Sequence, residues 1–524
     1  MKTFILTVSL LLLTSTSLSC QRKAPSAPVD GGPPPDGGPP GLDMSPDRDG
    51  GGGPDGQGGS DTSMSSGSDA LVGPDGPQST EASTAAKDTS PPDDRSVSDD
   101  SLPVQTFSRC VGNWPTSMPW AWQKPLAGPL RVLWTKWVGP EAVNAQRVVT
   151  NGDKLAISAG DKLYVIGRDG STSSGTTSTA VEALTSPIAD DNGRFYSAGH
   201  SFYAYDPDGH LSYWRYSFTR PLTDEWSLCK DFALSPSGLL LTTSNDGFLY
   251  AVHKTDGTLA WKRRLFSTGY TLATPSGPGV GDAFLVSYFD NGAGQFQGPQ
   301  GSRLHDLATG DPIGPLLTPS GAGIFVSVIG PQGFVGEDLQ GGLHLVDRCG
   351  AITWSVTSDA DAPLGASLAL PDGSVVAAGY TPAKTYRVSI FSATGEKLAG
   401  PVDLGPGGRP MAAGADGVLY ALSCSSQDGY DAPPALLMFD RQLRSIGRLD
   451  LGLQKDDYGW YACPQSGVTI GADGVMYLVA AHPFKTADMR PGTLVIAVQT
   501  TSPGIPTGSW PLAAHDARGT NWFD

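Results

Sequence analysis

Two stretches of this sequence combine acidic and aromatic side chains in a way that suits binding of a polar ligand. Residues 224–226 read Asp-Glu-Trp ahead of Cys229, and residues 457–461 read Asp-Tyr-Gly-Trp-Tyr ahead of Cys463. In both, an acidic residue is followed by a Trp three positions before a Cys. Indole and phenol rings offer a flat apolar face with a polar edge, and carboxylates accept hydrogen bonds. This chemistry fits a sugar, a peptide or a protein surface.

The elements that must hold these stretches are short β-strands in a repeating unit. Residues 235–265 contain three β-rich runs separated by Asn-Asp-Gly and Asp-Gly turns, and residues 229–235 add a fourth strand before them. We name the four strands a, b, c and d in chain order. An a–b turn ending in Gly recurs at Gly152, Gly193, Gly238, Gly281, Gly333, Gly373, Gly417 and Gly474, at spacings of 40 to 57 residues. A c–d turn series also counts to eight units, degenerate in the last two, near Arg441 and Pro503. The pattern predicts an all-β fold, an eight-bladed β-propeller or alternatively a seven-bladed one, because the fourth unit is the least regular.

Because consecutive strands run antiparallel, the connections divide between two faces of such a ring. The a–b and c–d turns share one face, which we call the turn face, and the b–c and d–a connections share the other, the loop face. The long insertions fall mainly on the loop face, including residues 289–300, 380–385, 425–434 and 482–491. Loops carry binding function more often than the strands beneath them. The candidate binding residues on the loop face are Asp224, Glu225, Trp226, Phe289, Asp290, Tyr430, Asp457, Tyr458, Trp460, Tyr461 and Phe484.

The repeats resemble the PQQ-like, or quinoprotein-type, β-propeller repeat. The resemblance is carried by residues 249–261 (LYAVHKTDGTLAW), 343–354 (LHLVDRCGAITW) and 202–214 (FYAYDPDGHLSYW). In that family the closing tryptophan docks between neighbouring blades, which implies structural roles for Trp214, Trp261 and Trp354. Residues 128–139 resemble an outer strand d, and we expect them to close the ring beside the C-terminal strands.

The same resemblance raises an enzymatic alternative, a PQQ- and calcium-dependent dehydrogenase. Such enzymes stack the quinone between a Trp and a disulfide of adjacent cysteines, with Glu, Asn and Asp around calcium. This sequence has no Cys-Cys pair, and its loose carboxylates (Asp224, Glu225, Glu337, Asp338 and Asp457) map onto none of the family positions. It also contains no GxSxG elbow, no P-loop and no CxxC or HExxH motif. We therefore expect no catalytic residue, no metal site and no cofactor.

The N-terminus resembles a bacterial lipoprotein signal. Lys2 is followed by an apolar run over 4–13 and by small residues ending at Cys20, the expected lipidation site, although Ser17 stands where the common pattern has Leu. The sequence divides into a signal peptide (1–19), a lipid-anchored disordered Gly/Pro/Asp-rich linker (20–103), a lead-in segment (104–127) and the propeller (128–524). Gln21 after the Cys, rather than Asp, implies outer-membrane sorting. The expected location is the cell envelope, periplasmic or surface-facing.

The net charge of −17 is concentrated in the linker, where residues 21–103 carry 15 acidic against 5 basic side chains. A chain of this sign without clustered Lys and Arg is not expected to bind nucleic acid. A segment of this composition cannot offset its ordering entropy by burial, so it serves as an extended stalk. We expect a monomeric propeller.

Five cysteines follow Cys20, in a chain expected in an oxidising compartment. Cys424 ends strand b of the seventh unit and Cys463 opens strand a of the eighth, both toward the loop face, which favours a disulfide between them. A bridge between Cys110 and Cys229 is a weaker prediction, and Cys349 is then the unpaired thiol. The function expected from the sequence is non-catalytic binding or scaffolding through the loop face, with an unknown protein or glycan partner. A carbohydrate-binding propeller is a further alternative.

Overall fold

The computed structural model describes the chain from residue 123 onward, with gaps. The described residues are 123–125, 129–139, 148–505 and 522–523, except for gaps at 160–161, 172–177, 180–185, 200, 218–232, 244–247, 266–271, 275–278, 281, 290–300, 315, 318–322, 339, 358–363, 382–384, 407–408, 424–432, 454–462, 465–467, 472 and 486–489. All of them belong to one unit of the chain, which spans 1–23 and 96–524. The linker residues 24–95 lie outside the described part.

The described residues form strands joined by turns, and they contain no helix. In the first half of the chain the strands are β1 (Arg131–Gly139), β2 (Val148–Thr150), β3 (Lys154–Ala159), β4 (Lys162–Gly167), β5 (Ser178–Thr179), β6 (Ile188–Ala189), β7 (Phe195–Ala198), β8 (Ser201–Tyr205), β9 (Leu211–Ser217), β10 (Ala233–Leu234), β11 (Leu239–Thr243), β12 (Phe248–His253), β13 (Leu259–Arg264), β14 (Leu272–Thr274), β15 (Gly279–Val280), β16 (Ala283–Phe289) and β17 (Gly301–Asp306). In the second half they are β18 (Ile324–Gly330), β19 (Gly333–Asp338), β20 (Leu343–Val346), β21 (Ile352–Val356), β22 (Leu364–Ala369), β23 (Val375–Tyr380), β24 (Thr385–Phe391), β25 (Lys397–Pro406), β26 (Arg409–Ala413), β27 (Leu419–Ser423), β28 (Ala435–Phe439), β29 (Ser445–Asp450), β30 (Cys463–Pro464), β31 (Thr469–Ile470), β32 (Val475–Lys485), β33 (Arg490–Gln499) and β34 (Trp522–Phe523).

The described strands form eight sheets, one for each unit that the turn series predicts. Sheets 1, 2 and 3 are β2–β5, β6–β9 and β10–β13, and sheets 5, 6 and 7 are β18–β21, β22–β25 and β26–β29. Each of these six is an antiparallel meander in which strands a to d follow chain order. Sheet 4 (β14–β17 with β34) and sheet 8 (β30–β33 with β1) have five strands each. The chain is therefore an all-β propeller, as the repeats predict.

The inner strands are apolar on both faces because each sheet packs between two others. In β11 all five residues are buried. The side chain of Leu240 joins a cluster with Tyr196 of sheet 2, whereas Leu241 joins a cluster with Phe284 of sheet 4. Successive side chains of a strand point to opposite faces, so a continuous apolar run supplies both interfaces. Each such buried leucine contributes about 1.5–3 kcal/mol relative to exposure.

Apolar clusters connect the described sheets into a closed ring. They join sheets 1 and 2, 2 and 3, 3 and 4, 4 through 6, 6 and 7, and 7 and 8. A further cluster joins sheet 8 to sheet 1 through Val148, Leu155, Tyr477 and Val495. No pair of neighbouring sheets is left without an apolar contact.

The ring is closed by a strand from the start of the propeller. β1 pairs antiparallel with β33 from Arg131 opposite Gln499 to Gly139 opposite Thr493, and so becomes the outer strand of sheet 8. This is the closure that the sequence of residues 128–139 predicts. It pairs the outer edge of β33, which would otherwise be an exposed strand edge.

Sheet 4 departs from the repeat at both edges. Its outer segment is irregular, since Ile313 and Leu317 donate backbone hydrogen bonds to Leu304 and Ser302 without forming a described strand. At the inner edge, β34 pairs in parallel with β15, with Trp522 opposite Gly279 and Phe523 opposite Val280. The C-terminal residues thus complete the unit whose sequence is least regular.

The c–d turns use a glycine with positive φ, as predicted, in the first six units. The dihedral lies between +73° and +86° at Gly170, Gly209, Gly257, Gly310, Gly350 and Gly395. In the seventh unit Leu443 takes this place with φ 57° and is 5% exposed. The Asp440 carboxylate still accepts hydrogen bonds from the backbone of Gln442 and Arg444, both at 2.9 Å. The turn that the sequence shows as degenerate therefore keeps its geometry, with a buried leucine in place of glycine.

Candidate functional site

The three tryptophans singled out by the repeat each connect one sheet to the next. Each lies in an outer strand, and its indole N–H donates to a backbone carbonyl in the c–d turn of the following sheet. The bonds run from Trp214 to Lys254 (3.0 Å), from Trp261 to Leu307 (3.1 Å) and from Trp354 to Ala393 (3.0 Å). Trp261 and Trp354 are 9% exposed. These rings pack between neighbouring sheets, so their faces are not available to a ligand.

A fourth tryptophan makes the same contact at the ring closure, and the sequence analysis missed it. Trp134 of β1 donates from Nε1 to the carbonyl oxygen of Arg168 at 3.0 Å. The Arg168 guanidinium in turn donates to Tyr477 Oη at 3.2 Å and to Asp473 of sheet 8. The signal was present, because Trp134 lies within the strand predicted to close the ring. The spacing that marks the other three could not reveal it, because no Asp-Gly turn lies shortly before Trp134 in the sequence.

Most of the candidate binding residues lie outside the described residues. This applies to Asp224, Glu225, Trp226, Asp290, Tyr430, Asp457, Tyr458, Trp460 and Tyr461, and also to Cys20 and Cys424. Phe289 ends β16 and Phe484 lies near the end of β32, and Cys463 opens β30; for these three only the backbone is described. The described strands on either side of these residues end on the loop face, as the antiparallel order requires.

One predicted loop is largely a pair of strands. Residues 482–491 were expected to form the b–c loop of the eighth unit, but β32 extends to Lys485 and β33 begins at Arg490. His482 pairs with Gly492 and Lys485 with Arg490, so the two strands run past the level at which β30 pairs. Cross-strand pairs of this kind stabilise the extension of the two strands. Phe484 therefore lies on a hairpin that extends toward the loop side.

The turn face carries the two ends of the propeller chain. The backbone N–H of Gln123, in the lead-in segment, donates to the carbonyl of Ala415 at 2.8 Å, and Ala415 donates to the carbonyl of Gly504 at 2.9 Å. Ala415 belongs to the a–b turn of sheet 7. The chain is next described at β34, beside the a–b turn of sheet 4. Both ends of the propeller thus contact turns on the face opposite the long connections.

Cys349 is disulfide-bonded, so the prediction that it is the unpaired thiol is wrong. It lies in the c–d turn of sheet 5, where its N–H donates to the Asp347 carboxylate at 2.8 Å. The prediction paired Cys424 with Cys463 and Cys110 with Cys229, which left Cys349 without a partner. It did not consider that the lead-in segment reaches the turn face, where Cys349 lies.

Of the carboxylates weighed for a quinone and calcium site, Glu337 and Asp338 lie among the described residues, whereas Asp224, Glu225 and Asp457 lie outside them. Asp338 Oδ2 lies 2.8 Å from Nε2 of His344, so this carboxylate already has a side-chain partner. One described group has metal-ligand geometry, formed by Asp206, Asp208 and His210. It lies in a c–d turn on the turn face, where Asp206 caps the turn through the backbone of Asp208 and His210.

A group that sequence reasoning did not assemble lies in sheet 5, at the end of its strands nearest the loop face. His344 Nδ1 lies 2.8 Å from Ser355 Oγ, on the side of the ring opposite its contact with Asp338. His344 is 7% exposed, Asp338 is partly buried and Ser355 is exposed. The strand register brings them together, because His344 of β20 stands opposite both Gly336 of β19 and Ser355 of β21. Spacing along the chain gives no such signal.

Comparison with solved structures finds similar chains at low sequence identity. The crystal structure of BamB from Moraxella catarrhalis is 16% identical, with a TM-score of 0.43, and covers 71% of this chain and 100% of that chain. The computationally designed Ika8 protein is 10% identical (TM-score 0.43; 69% and 98% covered), and a europium-containing methanol dehydrogenase is 11% identical (TM-score 0.48; 71% and 93% covered). No protein-family model and no curated protein matches the chain.

In the described part of the chain, no helix has the length and apolarity needed to cross a membrane.

Proposed function

We propose that this protein is a binding scaffold of the cell envelope that presents the loop face of its propeller to a protein or glycan partner. The observation that carries the proposal is the asymmetry of the two faces. The turn face is built of tight turns and contacts both ends of the propeller chain, at Gln123 and at Gly504. The long connections and the extended hairpin of β32 and β33 belong to the other face.

The different positions of the tryptophans in the repeat support this assignment. Trp134, Trp214, Trp261 and Trp354 hydrogen-bond between sheets and stabilise the ring. Trp226 and Trp460 lie between strands d and a in the sequence, not in the outer strand that those four tryptophans share. They are the proposed binding anchors, because aromatic side chains supply much of the binding energy at protein and sugar interfaces.

The proposed attachment is a lipid on Cys20, with the acidic linker as a spacer between the bilayer and the propeller. A single lipid chain gives only marginal membrane binding, so a multiply acylated cysteine is the form that fits stable anchoring. Replacement of Cys20 by Ser is expected to move the protein from the membrane fraction to the soluble fraction and to abolish labelling with radioactive palmitate. Membrane retention and labelling of the Cys20→Ser protein would contradict this part of the proposal.

The binding role is tested by site-specific photo-crosslinking in cells of the native host. A photoreactive phenylalanine analogue is placed at Trp226 or Trp460 on the loop face and at Thr255 or Gln442, two exposed positions of c–d turns, on the turn face. The expected result is a discrete adduct from the loop positions alone, lost when Tyr461 is also changed to Ala. A glycan array probed with the same variants detects a sugar partner. Equal adducts from both faces, or binding unchanged by loop substitutions, would overturn the proposal.

A further inference from the structure

The side chains of Asp338, His344 and Ser355 form a continuous hydrogen-bonded row across three strands of sheet 5. His344 Nε2 lies 2.8 Å from Asp338 Oδ2, and His344 Nδ1 lies 2.8 Å from Ser355 Oγ. Gly336, opposite His344, has no side chain, and Asp338 lies two residues further along on the same side of the strand. Because Gly336 has no side chain, the imidazole of His344 has room to lie between the carboxylate and the hydroxyl.

The hydrogen bonds at Asp338 fix where the proton of the imidazole lies. Its Oδ1 accepts the backbone N–H groups of Gln340 (2.9 Å) and Gly342 (2.8 Å), as an ionised carboxylate does. With the carboxylate ionised, the contact at Oδ2 is a hydrogen bond donated by His344 Nε2. The neutral ring then has its lone pair on Nδ1, where it accepts the Ser355 hydroxyl proton. This is the relation of nucleophile, base and orienting acid on which serine catalysis depends.

The corresponding positions in two other sheets have a different chemistry. In sheet 2 the cross-strand pair is Tyr203 and Arg215, with the guanidinium 5.3 Å from the ring centroid. In sheet 3 the pair is Tyr250 and Lys262. A tyrosine beside a long cation packs the outer strand without any reactive group. Sheet 5 is therefore distinguished from these sheets by its chemistry at a shared structural position.

We propose that Ser355 is an activated nucleophile that reacts with acyl or phosphonyl groups carrying a good leaving group. Ser355 Oγ attacks the carbonyl carbon of an ester, and its proton passes to His344 Nδ1. The imidazolium that forms is stabilised by the Asp338 carboxylate. Collapse of the tetrahedral intermediate breaks the bond to the alcohol, which takes the proton from Nδ1, and water then releases the acid by the same route.

The exposure of the three groups suits this role. Ser355 is open to solvent, whereas His344 is 7% exposed and so is held by its surroundings in one orientation. The group is built from the strands of sheet 5 and uses none of the loop residues proposed to bind a partner. The reactivity of Ser355 and the binding role of the loops can therefore be tested independently of each other.

The test is covalent labelling of the folded protein with a fluorophosphonate probe, followed by peptide mass spectrometry. The reaction forms a bond from phosphorus to Ser355 Oγ, expels fluoride and leaves the proton on His344. The expected result is a single adduct on Ser355, absent in Ser355→Ala and formed about 100-fold more slowly in His344→Gln, since a general base contributes about 10²–10⁴-fold. Ser445, an exposed serine on the outer strand β29, is the internal control and should remain unlabelled.

Two further measurements separate activation from a structural role. Urea unfolding midpoints of Ser355→Ala and His344→Gln show whether each variant is folded, and added imidazole should restore labelling of His344→Ala. Labelling of Ser355 that is no faster than that of Ser445, or that is unchanged in a folded His344→Gln protein, would overturn the proposal. The three side chains would then be a structural network alone.

Discussion

The indole N–H of Trp214 donates a hydrogen bond to the carbonyl oxygen of Lys254, and the two residues belong to different sheets. The ring also lies against Gly257 of the same turn, so closely that a Cβ on this glycine would be 2.5 Å from the indole. The same arrangement recurs between Gly310 and Trp261, and between Gly395 and Trp354. Glycine in these turns thus serves two purposes, the positive φ and the space for the docked ring.

Substitution of Gly257 by Ala should therefore lower the free energy of unfolding by more than the backbone conformation alone explains. The φ of +73° costs an alanine about 1–2 kcal/mol, and the contact with Trp214 adds overpacking of about 1–3 kcal/mol. Gly452→Ala is the matched control, because Gly452 has φ +66° and open space around the added methyl group. Urea unfolding should show a markedly larger loss of unfolding free energy for Gly257→Ala than for Gly452→Ala. Equal losses would mean that the turn does not pack tightly against the indole.

The Arg168 side chain is expected to contribute to ring closure. It donates to Tyr477 Oη at 3.2 Å, to the carbonyl of Gly152 at 2.8 Å and to the Asp473 carboxylate, and so it joins sheets 1 and 8. Replacement by Ala should lower the free energy of unfolding by about 1–2 kcal/mol, because charged hydrogen bonds between separate sheets are lost.

Arg444→Ala provides the comparison for Arg168→Ala. Arg444 pairs with Asp440 of its own turn, four residues away, and its side chain is 75% exposed. Such pairs contribute little, and we expect a loss below about 0.5 kcal/mol. If both substitutions give the same loss by chemical denaturation, Arg168 has no special part in closing the ring.

Stability should fall in mild acid because of His305. Burial lowers the pKa of this histidine from 6.5 to about 4, partly opposed by the hydrogen bond of Nδ1 with the carbonyl of Gly310 at 2.9 Å. The native imidazole stays neutral while the unfolded one takes up a proton below pH 6.5. The free energy of unfolding is therefore fully retained above pH 6.5 and decreases as the pH falls toward 4, by up to about 3 kcal/mol from this group.

His305→Phe isolates that contribution. Phenylalanine cannot titrate and cannot donate to Gly310, so the variant should be less stable at pH 7 but should lose less stability between pH 6.5 and 4 than the original protein. Urea unfolding at several pH values measures the difference between the two curves. Parallel curves would show that His305 does not govern the acid sensitivity.

The partner of Cys349 is predicted from the faces of the propeller. By their place in the repeat, Cys229, Cys424 and Cys463 are expected beside the loop face, and strands of about five residues, roughly 15 Å, would separate them from the turn face. Disulfides need Cα atoms about 4.4–6.8 Å apart, and with Cys20 assigned to the lipid this leaves Cys110, 13 residues before Gln123. Peptide mapping without reduction should give a peptide linking Cys110 and Cys349. A link from Cys349 to any of the other three would contradict this assignment, whereas Cys424 with Cys463 remains a prediction for the same map.

Local sequence signals were sufficient for the repeating parts of the fold and insufficient for contacts between distant segments. Asp-Gly turns, apolar runs such as residues 239–241 and the tryptophans after each turn all act within one unit, so they can be read in order. The pairing of Trp522 with Gly279 has no local signal, because two residues at the end of a chain suit many sheet edges. The contact of Ser355 with His344 depends on strand register, which a bulge between Leu345 and Val346 shifts by one residue. Leu443 was read as a lost turn because leucine rarely adopts positive φ.

The pairing of β1 with β33 also sets the order in which the molecule can mature. The first strand of the propeller has its neighbour more than 350 residues later, so during synthesis it stays unpaired until β33 has been made. Contacts this distant in sequence are formed late and slowly, and until then the strand presents an edge to which other chains can add. A chain that stops before Arg490 has no partner for β1, so truncated products are expected to be held by chaperones or degraded.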